Sequence, residues 1–254
     1  MAGVVVCIGQ SQSGPMVLSY LEGKIPIKAV IRESKVSSKT FLKRRVKKLG
    51  YWKVFGQLLF MVYSSRILAS SARKRIEGLI SDNRLYTTTD RLNIPLTDLD
   101  SINSEEARTL LKEHDPDVVL VIGTRIIGKK TLGAIKARWI NVHAGITPLF
   151  RGVHGGYWAR ATGKKMGTTI HYIDEGIDTG MVIFQKEVAY QPKDNFVVYP
   201  YLQMIGILPD LEKVINALLA GDEPAMQPMY EESKLWSHPT IFQYIANRIA
   251  KGAR

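Results

Sequence analysis

The stretch at 116–152, PDVVLVIGTRIIGKKTLGAIKARWINVHAGITPLFRG, decides how this chain folds. Val118 to Ile122 is apolar without alternation, the pattern of a strand buried on both faces of a parallel sheet. Trp139 to His143 reads as a second short strand, and Asn141 and His143, two residues apart, leave it on one face. They stand at its carboxyl end, where open α/β sheets place their ligands. The glycines at 145, 152, 155 and 156 give freedom that suits neither helix nor strand, so 141–159 reads as a loop holding a site.

The flanking sequence extends the same architecture. Val4 to Ile8 is another apolar run, closed by Gly9-Gln10-Ser11-Gln12-Ser13-Gly14 and followed by a helical stretch from Pro15 to Leu21, the opening of a doubly wound α/β unit. Strands are expected at 27–31, 168–173 and 181–188, the last two bracketing the turn Asp174 to Gly180. Apolar residues at 211, 214, 215, 218 and 219 give a helix over 210–219, and a helical tail is expected at 240–249. The expectation is an α/β, Rossmann-like fold with a mostly parallel sheet. It comprises a domain over 1–190, carrying a basic helical insert at 34–80, and a short C-terminal helical extension over 191–254.

Composition narrows the function classes. The single cysteine, Cys7, lies in an apolar run, which excludes a disulfide framework and a cysteine-built zinc site. The N-terminus lacks a signal-peptide pattern, so a cytoplasmic protein is expected. Of the net charge of +12, all lies in one segment: Ser34 to Ile76 holds twelve Lys or Arg and no Asp or Glu. The apolar part of that segment, Val54 to Tyr63, is too short to span a bilayer. Three readings stay open for it: a solvated basic face on a packed helical hairpin, docking on an anionic membrane surface through residues 34–76, or an acidic macromolecule. Sparse aromatic interleaving argues against nucleic acid.

The chemistry is read from combinations. An amide and an imidazole facing one pocket can both donate to an oxygen that gains charge. Asp178 could orient the imidazole, hold it protonated and take up a proton. No serine or cysteine stands in a nucleophile motif, which points to acyl transfer without a covalent enzyme intermediate. His143, His154 and His171 lack metal-ligand spacing, and no metal is expected.

NVHAGITPLFRG and the later GTTIHYIDEGIDTGMVI resemble the signature of the formyltransferases that use N10-formyl-tetrahydrofolate: Asn-x-His-Pro-Ser-Leu-Leu-Pro, then Arg/Lys-Gly, then Asp-x-Gly. The likeness covers about 115–188, and Ala144, Gly145 and Thr147 depart from it. The resemblance implies Asn141, His143 and Asp178 as the catalytic set. It implies a folate site at Arg125, Ile126, Ile127, Ile173, Asp174 and Gly176, and an acceptor site at Gly9, Gln10, Ser11, Ser13, Arg151, Gly152 and His154. It further implies N10-formyl-tetrahydrofolate as co-substrate, an amine acceptor and a homo-oligomer. Methionyl-tRNA formyltransferases carry a further barrel domain for which 190–254 offers too little strand signal. By elimination a nucleotide-linked amino sugar, for surface polysaccharide, is the expected acceptor. The alternatives are glycinamide ribonucleotide, hydrolysis of the same co-substrate, and a non-catalytic adaptor binding membrane or nucleic acid.

Overall fold

The computed structural model describes residues 2–35 and 37–254, with all their side chains except those of residues 38, 39, 41 and 44. The basic groups of Lys39 and Arg44 therefore lie outside the described residues. In chain order the elements are β1 (Val4–Ile8), α1 (Ser13–Leu21), β2 (Ile27–Glu33), α2 (Ser38–Leu49), α3 (Tyr51–Tyr63), a π turn (Ser64–Leu68), α4 (Ala69–Asp82), β3 (Leu96–Leu99), α5 (Glu105–His114) and β4 (Val118–Ile122). There follow α6 (Lys129–Leu132), β5 (Arg138–His143), β6 (Arg151–Gly152), α7 (Gly155–Ala161), β7 (Gly167–Tyr172), β8 (Val182–Glu187), α8 (Tyr199–Ala220), β9 (Leu235–Trp236) and α9 (Ile241–Lys251).

Seven strands form one sheet in the order β3-β2-β1-β4-β5-β7-β8. The five strands from β3 to β5 run parallel, and β7 and β8 are antiparallel additions at one edge. All ten residues of β1 and β4 are buried, which is why their sequence shows no alternation. The strand order reverses between β1 and β4, and the crevice at such a switch point is where α/β sheets bind ligands. There the Gly9 backbone passes so near β4 that a Cβ would stand 2.0 Å from the Gly123 carbonyl oxygen. Gly9→Ala is therefore expected to destabilise the fold by about 1–3 kcal/mol, because backbone must move to admit the methyl. An unchanged urea midpoint would show that this approach is not needed.

Two helices depart from their expected form. The helix expected at 210–219 runs from Tyr199 to Ala220, through Pro209. Pro200 sits in its first turn, where no amide donor is needed. An interior proline costs about 3 kcal/mol. Flanking Ile207, Leu208 and Leu211 are all buried in the main core, and burial of such side chains is worth about 1.5–3 kcal/mol each. The last part of the expected loop, 155–159, instead lies in α7 (Gly155–Ala161): its glycines serve close packing, since a Cβ on Gly155 would stand 2.6 Å from the Ala144 carbonyl oxygen.

The basic insert forms α2, α3 and α4, with the π turn joining the last two into one continuous rod. Phe60 of α3 packs edge-on against Phe196 and beside Tyr244 of α9, with ring centroids 4.7 and 4.9 Å away. The insert and the C-terminal helix thus share a second apolar core with α7.

Candidate active site

Two strands that lie far apart in the chain build the centre of the site. Antiparallel pairing of β5 with β7 sets Asn141 opposite His171, and Asn141 Nδ2 approaches His171 Nε2 to 3.1 Å. The Nδ1 of His171 lies 2.7 Å from the Tyr172 carbonyl oxygen, which can only accept, so Nδ1 carries the proton. Nε2 then accepts from the Asn141 amide and fixes which way that amide points. Sequence reading considered His171 only as a metal ligand. Its alternation with Thr169 along β7 is the signal that places it on this face, but its partner follows only from the register.

His143 lies one alternation further along β5. Its Nε2 donates to the Phe150 carbonyl oxygen at 2.7 Å, and its Nδ1 faces Asp178 Oδ2 at 3.5 Å. Asp178 also accepts the Gly152 amide at 2.8 Å, and its Oδ1 stands 3.7 Å from His171 Nε2. The Asp178 backbone is left-handed, with φ of 51°, a conformation an aspartate tolerates at a cost of about 1 kcal/mol.

Electrostatics corrects one expectation, that Asp178 keeps His143 protonated. Burial pushes the His143 imidazole below its ordinary value, and the Asp178 charge and the Phe150 carbonyl, which act the other way, do not overcome it. Burial also acts to raise the Asp178 carboxyl, but the His143 charge, the Gly152 amide and the nearby His171 imidazole together bring it down to about 2. Near neutral pH the pair is a neutral imidazole beside a carboxylate.

The residues expected to hold folate converge beside this cluster. Arg125 to Ile127 follow β4, which pairs with β5 so that Val121 stands against Asn141. Ile127 and Ile173 pack in one apolar cluster, Ile126 is exposed, and Lys129 reaches Glu175 at 3.0 Å, so the two segments form adjacent walls. Asp174 closes its turn by accepting from the Gly176 amide at 2.9 Å and the Thr179 hydroxyl at 2.6 Å. The Arg125 side chain turns inward instead: its Nε lies 2.9 Å from buried Glu33, and its guanidinium also bonds the Ser34 and Asp100 carbonyl oxygens. An exposed isoleucine above an apolar floor fits a flat heteroaromatic ring system.

The residues expected to hold the acceptor divide three ways. Gly9, Gln10 and Ser11 line a cleft of about 240 Å³ with Arg32 and Thr87 to Asp90, while Ser13 begins α1 beside it. Arg151 and Gly152 instead brace the Asp178 loop, Arg151 through a 3.3 Å bond to the Ile177 carbonyl oxygen. His154 stands apart from the cluster: its Nε2 lies 2.8 Å from His238 Nδ1, and its ring packs 4.5 Å from that of Phe196. A larger cleft, about 450 Å³, opens at Asp178 and is walled by Thr147, Pro148, Met181 and the 225–228 segment, which sequence reading missed. Nothing in the composition of that segment marks it; it is carried there by the chain that leaves α8.

The His154–His238 bond needs one proton between its two nitrogens, so the pair resists a full second charge. Burial, then the neighbouring His238 and Arg45, lowers His154 to about 3, and burial and Arg45 lower His238 to about 4. As pH falls below 6.5 the unfolded chain binds protons that this pair refuses, so stability is full above that value and declines toward pH 4. The slope reaches up to ~1.4 kcal/mol per pH unit for each histidine. Melting temperature measured between pH 7 and 4.5 should fall, and the fall should be shallower in His238→Gln; parallel profiles for the two proteins would refute this.

Among the described residues no group of His, Cys, Asp or Glu side chains is arranged to hold a metal ion, and no helix is long and apolar enough to cross a membrane. Comparison with known proteins places the same residues in a family context. The chain is 37% identical over 118 residues to a methionyl-tRNA formyltransferase of Pelotomaculum thermopropionicum, a match covering 45% of this chain and 38% of that protein. Matches to such enzymes span 33 to 38% of their length, about a third. In fold the chain is similar to a phosphoribosylglycinamide formyltransferase of Anaplasma phagocytophilum, with a TM-score of 0.58, 18% identity, and coverage of 91% of this chain and 96% of that one. It is also similar to a sugar N-formyltransferase of a Shewanella species, with a TM-score of 0.54, 18% identity, and coverage of 96% and 79%. The family model described as formyl transferase matches residues 65–198, more than half of the chain, including the strands that carry Asn141, His143 and His171 and the turn that carries Asp178, and the protein is accordingly a member of the formyl transferase family.

Proposed function

We propose that this protein is a cytoplasmic N-formyltransferase that moves the formyl group of N10-formyl-tetrahydrofolate to the amine of a nucleotide-linked amino sugar. The observation that carries the reaction is the convergence of Asn141, His143 and Asp178 beside the 450 Å³ cleft, next to the exposed Ile126 wall. The folate co-substrate supplies a formyl carbon open to attack by an amine. Asn141 has a second amide hydrogen beyond the one bonded to His171, and donates it to the formyl oxygen as charge develops there. The Asp178–His143 pair takes the proton that the attacking amine loses as its bond to the formyl carbon forms. The same pair returns that proton to the nitrogen that leaves, so the products are a formamide and tetrahydrofolate and the protein is unchanged. His143 is neutral in the resting site and serves as the proton reservoir of the pair, Asp178 holding the charge that stabilises the imidazolium when it forms.

The smaller cleft at Gly9 to Gln12, with Arg32 and Thr87 to Asp90, supports a polar, nucleotide-sized appendage on the acceptor. The similarity in fold to a sugar N-formyltransferase accords with that class. The test is tetrahydrofolate release followed with N10-formyl-tetrahydrofolate alone and then with nucleotide-linked amino sugars, glycinamide ribonucleotide or methionyl-tRNA. Release dependent on an amino sugar supports the reading. Release with no amine would make the protein a hydrolase, dependence on either other acceptor would reassign the substrate, and no release at all would leave a binding protein.

A further inference from the structure

Helix α3 is apolar on two opposite sides. Val54 and Phe60 face the protein, whereas Tyr51, Trp52, Phe55, Leu59 and Val62 lie on the outer side and are 80, 87, 52, 41 and 53% exposed. An ordinary surface helix carries polar residues there, and a contiguous apolar outer face marks an interaction surface. Helix α9 widens it: Phe242, Ile245 and Ile249, spaced for one helical face, are 65, 47 and 82% exposed. The two helices run side by side, since a Cβ on Gly56 would meet the Phe242 ring at 3.6 Å and Arg248 donates to the Tyr63 hydroxyl at 3.2 Å.

Charge identifies the occupant. No Asp or Glu occurs at 34–76 or at 233–254, the two segments that build this face. Lys47 and Lys48 at the end of α2, Lys53 and Arg66 around α3, and Arg248 and Lys251 on α9 are exposed. A second copy docked face to face by two-fold symmetry would set these cations against their own images. An anionic lipid surface matches both features, because aromatic and aliphatic side chains settle at the headgroup boundary while Lys and Arg remain at the phosphates. The apolar stretch is confined to the 13 residues of α3, about 20 Å of the longer rod, which is short of the thickness of a bilayer, so this face suits lying on a bilayer and not crossing it.

We infer that the outer face of α3 and α9 is a peripheral docking surface for anionic phospholipid. This stands apart from the formyl-transfer reading, since none of its residues lines either cleft. The full chain should co-sediment with phosphatidylcholine vesicles containing phosphatidylglycerol and not with phosphatidylcholine alone, and salt should weaken the binding. Each basic group near such a surface contributes about fivefold, so K47Q/K48Q/K53Q/R66Q together should reduce partitioning more than about a hundredfold. Trp52→Ser with Phe55→Ser should release the protein at unchanged charge and unchanged melting temperature, both residues being exposed. Trp139 and Trp158 are buried and Trp236 is half-buried, its ring stacked on Phe150 and Trp158, so a blue shift of emission on adding anionic vesicles should come from Trp52 and vanish in Trp52→Phe, while sedimentation persists. Failure to bind either vesicle, or equal binding to both, would overturn the assignment. A concentration-dependent dimer that Trp52→Ser disrupts, without vesicle binding, would give the face to a second copy; vesicle-independent capture of RNA or an acidic protein would give it to that partner.

Discussion

Asp178→Asn is expected to lower turnover by roughly 10²- to 10⁴-fold, the range that a positioned proton acceptor contributes. The amide side chain keeps an oxygen that can still accept the Gly152 amide, so the loop stays in place and the loss reports the missing charge rather than a misplaced backbone. Removing that charge also takes away what stabilises the His143 imidazolium during transfer, which is why the effect should reach kcat and not only KM. Folate binding measured directly should change little. Near-normal kcat in this variant would remove Asp178 from the mechanism, and with it the proton path through the pair.

The second large effect is expected at Asn141. Asn141→Ala should cost roughly 10²-fold or more in kcat, because in the proposed mechanism the amide hydrogen not bonded to His171 meets the formyl oxygen mainly when charge develops there. Loss confined to KM would mean that the amide binds ground state and transition state alike. Asn141→Asp is the sharper comparison: it keeps the size but presents an acceptor where the reaction needs a donor, so it should be no better than alanine. A variant with substantial activity from aspartate would show that Asn141 does not face the oxyanion.

What the sequence determines by itself is whatever is carried by neighbours along the chain. The unbroken apolar runs at 4–8 and 118–122 specify buried parallel strands, because a strand covered on both faces has no need to alternate. The spacing of Asn141 and His143 puts both on one face of β5 whatever else the chain does. Helix α5 was equally legible, though sequence reading passed over it: Ser104 caps the Ala107 amide at 3.1 Å, with Glu105 and Glu106 in the first turn. Glycine and proline misled at α7 and α8, where local propensity was overridden by close backbone packing and by burial in the core.

Only tertiary structure decided who meets whom. His171 becomes the partner of Asn141 through the antiparallel register of β5 and β7, and a slip of one residue would have sent it to the other face. His154, near the site in sequence, is drawn away to His238, 84 residues distant, by the aromatic core shared with the insert. The 225–228 wall of the larger cleft and the joined outer face of α3 and α9 likewise arise from segments with no sequence relation. Local patterns fix the period of an element and hence its buried face. Which buried faces find one another depends on strand register and side-chain volume summed over the whole core, and no single stretch of the chain contains that information.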